Sequence, residues 1–207
     1  MKYMGSKARL AKSLVPIIQR YVDESEFNTY YEPFCGGCNV IDKIKAQTRI
    51  ACDIHPYLIA LLKQAQEDSS VFPETYDEDF YKEVKNNIEK YPEWLVGLVG
   101  FATFGAKWMG GYPRDRKGNR DIVAESIRNI KKQATSLKDI IFNCCSFEEL
   151  NIYNSVIYND IPYKNSTKYA NHFDYDKFYD WCRKQKNNGK AALRNYIFSF
   201  YFSIKFR

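Results

Sequence analysis

The segment Thr29-Tyr30-Tyr31-Glu32-Pro33-Phe34-Cys35-Gly36-Gly37-Cys38-Asn39 runs an aromatic strand straight into a glycine turn, and Val40-Ile41-Asp42-Lys43-Ile44 then reads as helical. A strand-glycine-helix junction restricts the fold strongly. The glycines let the backbone turn sharply and come close to a ligand, as in the dinucleotide-binding turns of α/β proteins. Arg49-Ile50-Ala51-Cys52-Asp53 reads as a second strand that also ends in an acid. In nucleotide-binding α/β folds an acid at that place commonly receives ribose hydroxyls. The glycine spacing does not reproduce the full dinucleotide fingerprint, so by itself it does not identify the ligand.

A third strand is the run Val156-Ile157-Tyr158, followed by Asn159-Asp160-Ile161-Pro162-Tyr163. Proline cannot continue a ladder, so the strand breaks there and leaves Asp160 and Tyr163 at its carboxyl end. Open α/β sheets bind ligands at that end. A carboxylate that accepts from an amino group, beside a flat aromatic face, suits an extruded nucleobase. A strand-to-loop turn with a capping Asp and a packed Tyr explains the same residues equally well.

At 207 residues with 45% apolar content, the chain can bury the core of one α/β domain carrying an insert. The mean hydropathy of -0.52 argues against a membrane protein. The expected first helix, residues 6–21, is amphipathic, with Leu10, Leu14, Ile17, Ile18 and Tyr21 on one face and Ser6 as its cap; it is no signal peptide. The tail Phe198, Phe200, Phe202, Ile204 and Phe206 alternates with polar residues, a strand pattern too short for a membrane helix. Six cysteines without a secreted context read as reduced, cytoplasmic thiols. Further helices are expected over 77–90, 94–104, 122–137 and 174–185, with a strand at Ile140-Ile141-Phe142.

The net charge of +6 is unevenly placed. Residues 105–139 hold nine Lys or Arg against four acids, and the run 107–120 interleaves them with aromatics. Such a loop suits a nucleic acid: cations meet phosphates, Arg and Asn read base edges, and Trp or Tyr wedges or stacks. A solvated basic loop is the plainer explanation. Cys35-Gly36-Gly37-Cys38 also has the form of a thiol-redox pair at a helix start, although that leaves Asp53 and Asp160 unexplained. The adjacent Cys144-Cys145 and the distant His55 and His172 do not have zinc-ligand spacing, so no metal is expected.

Taken in order, Lys2-Tyr3-Met4-Gly5-Ser6-Lys7, Glu32-Pro33-Phe34-Cys35-Gly36-Gly37, Asp53 and Asp160-Ile161-Pro162-Tyr163 resemble the motifs of Dam-like site-specific DNA adenine methyltransferases. The similarity extends over residues 1–188. The resemblance implies an α/β fold: a Rossmann-like methyltransferase sheet with a helical and loop DNA-recognition insert. It implies transfer of a methyl group from S-adenosylmethionine to the exocyclic amino group of adenine in double-stranded DNA, in line and on a flipped base, without metal. By that resemblance Tyr3, Lys7, Phe34, Gly36, Asp53 and Asp160 bind the cofactor, with Lys7 on its methionine carboxylate and Asp53 on its ribose. Asp160, the carbonyl of Ile161, Pro162 and Tyr163 form the catalytic motif, with Tyr163 stacked on the base. Lys107, Trp108, Tyr112, Arg114, Arg116, Lys117, Asn119 and Arg120 are the candidate DNA contacts. A cognate restriction enzyme and a cytoplasmic location complete what the family implies.

The expected division is a first part of the core over 1–66, a recognition insert over 67–138, a second part of the core over 139–190, and a divergent tail over 191–207. Three departures from the family pattern weaken the expected activity. Ile161 replaces a proline, Cys38 stands where the family often has glycine, and the tail does not resemble the family's closing strands, so the carboxy-terminal strands are expected to be missing. A side chain at position 38 is expected to be strained if the backbone there needs a positive φ. The alternative function is a truncated, non-catalytic remnant that still binds DNA or cofactor, with the thiol-redox protein a distant third.

Overall fold

The fold is seen in a computed structural model that describes residues 1, 3–103, 107–115, 117–162, 173–187 and 196–199. Helix α1 (Ala11–Glu24) leads to β1 (Thr29–Glu32), then β2 (Thr48–Asp53) and α2 (Pro56–Asp68). Helices α3 (Glu78–Asn86), α4 (Glu93–Phe101) and α5 (Ile122–Leu137) follow, then β3 (Ile140–Cys144), β4 (Ser155–Asn159), α6 (Tyr175–Asn187) and β5 (Tyr196–Ser199). The five strands form one parallel sheet in the order β3-β2-β1-β4-β5. That is the doubly wound Rossmann order, and it reverses direction between β1 and β4.

Both faces of the sheet are covered, as a parallel sheet requires. Alternation along each strand divides the core in two. Tyr30, Ala51, Val156 and Tyr158 point into the larger half with α1, α2, α4 and α5. Tyr31, Cys52 and Ile157 point into the smaller half, against Phe178 and Trp181 of α6 and Phe147.

Local chemistry explains most element starts. Pro56 sits in the first turn of α2, where a missing N–H costs nothing. The Asp77 and Asp121 side chains cap α3 and α5 by accepting from Phe80 N and Ala124 N, each at 2.8 Å. The first helix differs from expectation. Ser6 does not cap it; its Oγ accepts from Ala8 N and Asn39 Nδ2, and the helix begins five residues later at Ala11. The buried face is Ala11, Ile18 and Val22, while Leu10 and Ile17 are exposed.

The expected boundary at residue 66 falls inside α2, and α5, within the expected insert 67–138, shares the larger core with the sheet. The alternating tail contributes β5, which pairs in parallel with β4 and extends the sheet at that edge. The other strands keep their expected places with shifts of a residue or two.

Helix α4 is apolar all round and buried from Val96 to Phe101, and it lies directly on α2. Gly97 permits this approach, since a Cβ there would stand 2.1 Å from the carbonyl oxygen of Tyr57. Backbone cannot move aside as a side-chain tip can. Gly97→Ala is therefore expected to lower unfolding free energy by about 2 kcal/mol in urea titration; an unchanged midpoint would show that the helices separate freely.

Candidate active site

The reversal of strand order opens a crevice at the carboxyl ends of β1 and β4, and a cavity of about 740 Å³ lies there. Small-molecule sites typically span about 300–1,000 Å³. Its walls bring together the four separated motifs: Tyr3 and Lys7, Phe34 and Gly36, Asp53, and Asp160 with Ile161 and Pro162. Tyr163 and Arg116 lie outside the described residues, as do Thr167 to Tyr169.

The turn after β1 is held from several sides. Gly36 has φ +47° and Cys38 φ +55°. The expected strain at position 38 is thus present, at a cost on the order of 1 kcal/mol. A Cβ on Gly36 would stand 2.9 Å from the Tyr3 ring, and one on Gly37 2.9 Å from Tyr3 Cβ. These glycines therefore make room for the amino-terminal segment as well as for a ligand. Asn39 Nδ2 donates to Met1 O (3.1 Å) and Ser6 Oγ (2.9 Å), and buried Gln133 Nε2 reaches Gly37 O, Cys38 O and Asp42 Oδ2 at 3.1, 3.1 and 2.8 Å. Local sequence patterns assign neither residue this role. Asn39 adjoins the glycine turn, which was a usable signal; Gln133 lies on a distant helix and gave none.

The turn continues into a short 3-10 segment, Ile41–Lys43, rather than an α-helix, so no helix amino terminus faces the two thiols. Burial pushes both Cys35 and Cys38 thiols up from their ordinary value. That disfavours the thiolate a redox pair needs. Among the described residues no group of three or more metal-binding side chains occurs, and no helix is long and apolar enough to cross a membrane.

Asp53 ends β2 with Oδ2 accepting from Gly36 N (3.1 Å) and Oδ1 from His55 N (3.0 Å). One carboxylate thus ties the β2 end to the glycine turn. Burial pushes its pKa up, opposed by these backbone N–H bonds. Asp160 follows β4 and forms a close pair with Lys7, whose Nζ lies 2.5 Å from Oδ1 and 2.6 Å from Oδ2. Burial raises the Asp160 pKa while Lys7 lowers it. Ile161, in place of the family's proline, turns its side chain into the smaller core, and Tyr175 Oη donates to the carbonyl of Pro162 at 2.9 Å. Phe34 packs at 5.5–5.8 Å against Phe147, Phe173 and Phe178, so its ring belongs to the aromatic wall facing α6. Asn159, fully enclosed at the end of β4, has no hydrogen-bond partner for its amide.

The basic loop is less free than its composition suggests. Trp108 lies over Gly100, stacks on Tyr57 (5.4 Å, 9° between planes) and meets His55 at 4.3 Å. Tyr112 Oη donates to Tyr76 O at 3.0 Å. Neither ring stands out as a wedge. Arg114 pairs with Glu78 and Arg120 with Glu125, while Lys107, Lys117 and Asn119 are exposed.

A parallel sheet in the order β3-β2-β1-β4-β5, with the separated motifs gathered at its switch point, is a doubly wound, Rossmann-like α/β fold. Residues 3–95 match the family model of the D12 class N6 adenine-specific DNA methyltransferases. The type II methyltransferase M.FokI of Planomicrobium okeanokoites is 26% identical over 211 residues, an alignment covering 90% of this chain and 32% of that protein. The chain thus spans about a third of the length of this curated relative. Among solved structures, the rRNA methyltransferase aviRa from Streptomyces viridochromogenes aligns with a TM-score of 0.40 and 13% identity, covering 89% of this chain and 70% of that one.

Glu32 is the last residue of β1. It is buried and accepts from Tyr30 Oη at 2.7 Å. Burial pushes its pKa up to about 8, opposed by the Tyr30 bond and reinforced by Asp160. Between the ordinary value of 4.5 and about 8, the folded chain holds a proton that the unfolded chain releases, so stability falls as pH rises through that window. Glu32→Gln keeps an acceptor for Tyr30 and cannot ionise. It is expected to match wild type near pH 4 and to exceed it by about 2 kcal/mol or more above pH 8 in denaturant unfolding. Equal stability at both pH values would refute a buried, proton-holding Glu32.

Proposed function

We propose that this chain transfers a methyl group from S-adenosylmethionine to the exocyclic amino group of adenine in double-stranded DNA. The observation that carries this reading is the convergence of Asp53, the Gly36 turn and Asp160 on one cavity at the switch point. When bound, the cofactor supplies an electrophilic methyl on a sulfonium. The residues fit it: Asp53 offers carboxylate oxygens at the β2 end for ribose hydroxyls, and the Gly36 turn and Tyr3 form the adjoining wall.

Asp160 and the carbonyl of Ile161 accept the hydrogens of the base's amino group, which orients its nitrogen and stabilises the positive charge that develops there. Replacing proline by Ile161 keeps that carbonyl, and the following Pro162 restricts Ile161 to extended backbone. Tyr163 is assigned the stacking face against the extruded base. Binding DNA costs unstacking energy, which cationic contacts to the phosphates offset.

In this reading Lys107, Lys117 and Asn119 meet DNA directly, with Arg116 beside them in the loop. Arg114 and Arg120, both exposed, exchange half-buried carboxylate partners for phosphates, a cheap exchange because ion pairs at the surface contribute little. Trp108 and Tyr112 hold the loop's base in place rather than wedge between bases. The segment 67–138 is assigned target recognition through this loop, while α5 serves the core.

The deciding experiment is transfer of labelled methyl from S-adenosylmethionine to mixed-sequence duplex DNA by the purified chain. Label on adenine is expected, with Asp160→Ala slower by at least about a hundredfold. Absence of transfer by folded wild-type protein that still binds DNA or cofactor would instead establish the remnant.

A further inference from the structure

The family resemblance gives Lys7 to the cofactor's carboxylate, but the geometry gives it to another group. Lys7 Nζ lies 2.5 and 2.6 Å from the two oxygens of Asp160 and 3.1 Å from Gly5 O. An ammonium has three hydrogens. All three therefore have acceptors within the protein, and a contact to a ligand anion would require giving one up. Lys7 is 6% exposed and Asp160 18%, so salt and water screen this pair poorly.

The other ionisable groups around the cavity cannot replace it. Glu32 and Asp53, from the ends of β1 and β2, are carboxyls: the first is held neutral by burial and the second is an acid, so neither supplies a positive charge to Asp160. His55 is shifted by burial toward its neutral form. Lys177, from α6, is exposed and lies 3.7 Å from Glu148, and Asp174 adds a further acid. Among the described residues, Lys7 is the cation in contact with the Asp160 carboxylate.

We propose, resting on the methyltransferase reading, that Lys7 is a positioning residue for Asp160: it fixes the plane and the charge of the catalytic carboxylate. The amino group of the base does not have to displace it, because each carboxylate oxygen accepts at two lone-pair sites. Lys7 holds one side of Asp160 from the amino-terminal segment, and the other side remains for the base. The glycine turn and Asn39 then matter to catalysis indirectly, since they anchor the segment that carries Lys7.

Two measurements on the full chain separate this role from cofactor anchoring. One is binding of S-adenosylhomocysteine by calorimetry, and the other is the pH profile of single-turnover methyl transfer to duplex DNA. In Lys7→Met the expected result is transfer slower by about tenfold or more, with the Kd for S-adenosylhomocysteine changed less than about threefold. The acid limb of its profile should move to higher pH, because Asp160 loses the charge that opposes its burial. Lys7→Arg should return the limb to its wild-type position. If Lys7→Met does not fold, Lys7→Gln carries the same expectation, being neutral and still able to donate. A Kd weakened about tenfold or more with an unmoved acid limb would overturn the proposal and return Lys7 to the cofactor's carboxylate. Wild-type protein that neither binds S-adenosylhomocysteine nor transfers label would overturn the methyltransferase reading, and the proposal with it.

Discussion

Parallel pairing of β1 with both β2 and β4 is the constraint from which the rest follows. The connections leaving β1 and β4 must depart to opposite sides, which opens a crevice that no loop sequence needs to specify. Into that crevice the sheet delivers Glu32, Asp53 and Asp160, three acids at the ends of three strands. Their mutual repulsion and burial would be costly without compensation. The protein answers each differently: Glu32 keeps its proton, Asp53 accepts backbone N–H bonds, and Asp160 takes a lysine. Environment rather than residue type thus separates three like carboxyl groups into a neutral one, a tethered one and an ion-paired one.

The amino-terminal segment is the second element on which the site depends. Tyr3 lies on the two glycines, Asn39 grips the backbone at Met1 and the side chain of Ser6, and Lys7 crosses to Asp160, 153 residues away. Strain at Cys38 and the unpartnered amide of Asn159 fall within the same small region. Costs of this kind concentrate where several backbones are forced to meet around a ligand site. Cys38 and Ile161 are both buried, and their packing offsets part of that cost.

The sequence was most legible where the chemistry is local. Strands rich in aromatic and β-branched residues and helices with a periodic apolar face are set over a few residues, and most of their bounds are correct to within a residue or two. The positive φ at position 38 meets the condition under which strain was expected there, a side chain where the resembled family often has glycine. The first helix was misjudged because its leading turn is claimed by Asn39, a partner 33 residues from Ser6. The basic loop was read as freer than it is because composition does not reveal that Gly100 leaves a place for the Trp108 ring.

What the sequence by itself determined was the α/β class and the ordered motifs, since these depend on residue type and short spacing. What only tertiary structure decided was the state and partner of each group in the crevice. Lys7 could equally have faced a ligand; its pairing with Asp160 follows from the path of the amino-terminal segment over the glycine turn. Glu32 retains a proton because strand order buries it beside other acids. The physical reason is the same in both cases: charge and hydrogen bonding depend on distances through space and on exclusion of water, and neither is encoded in local spacing.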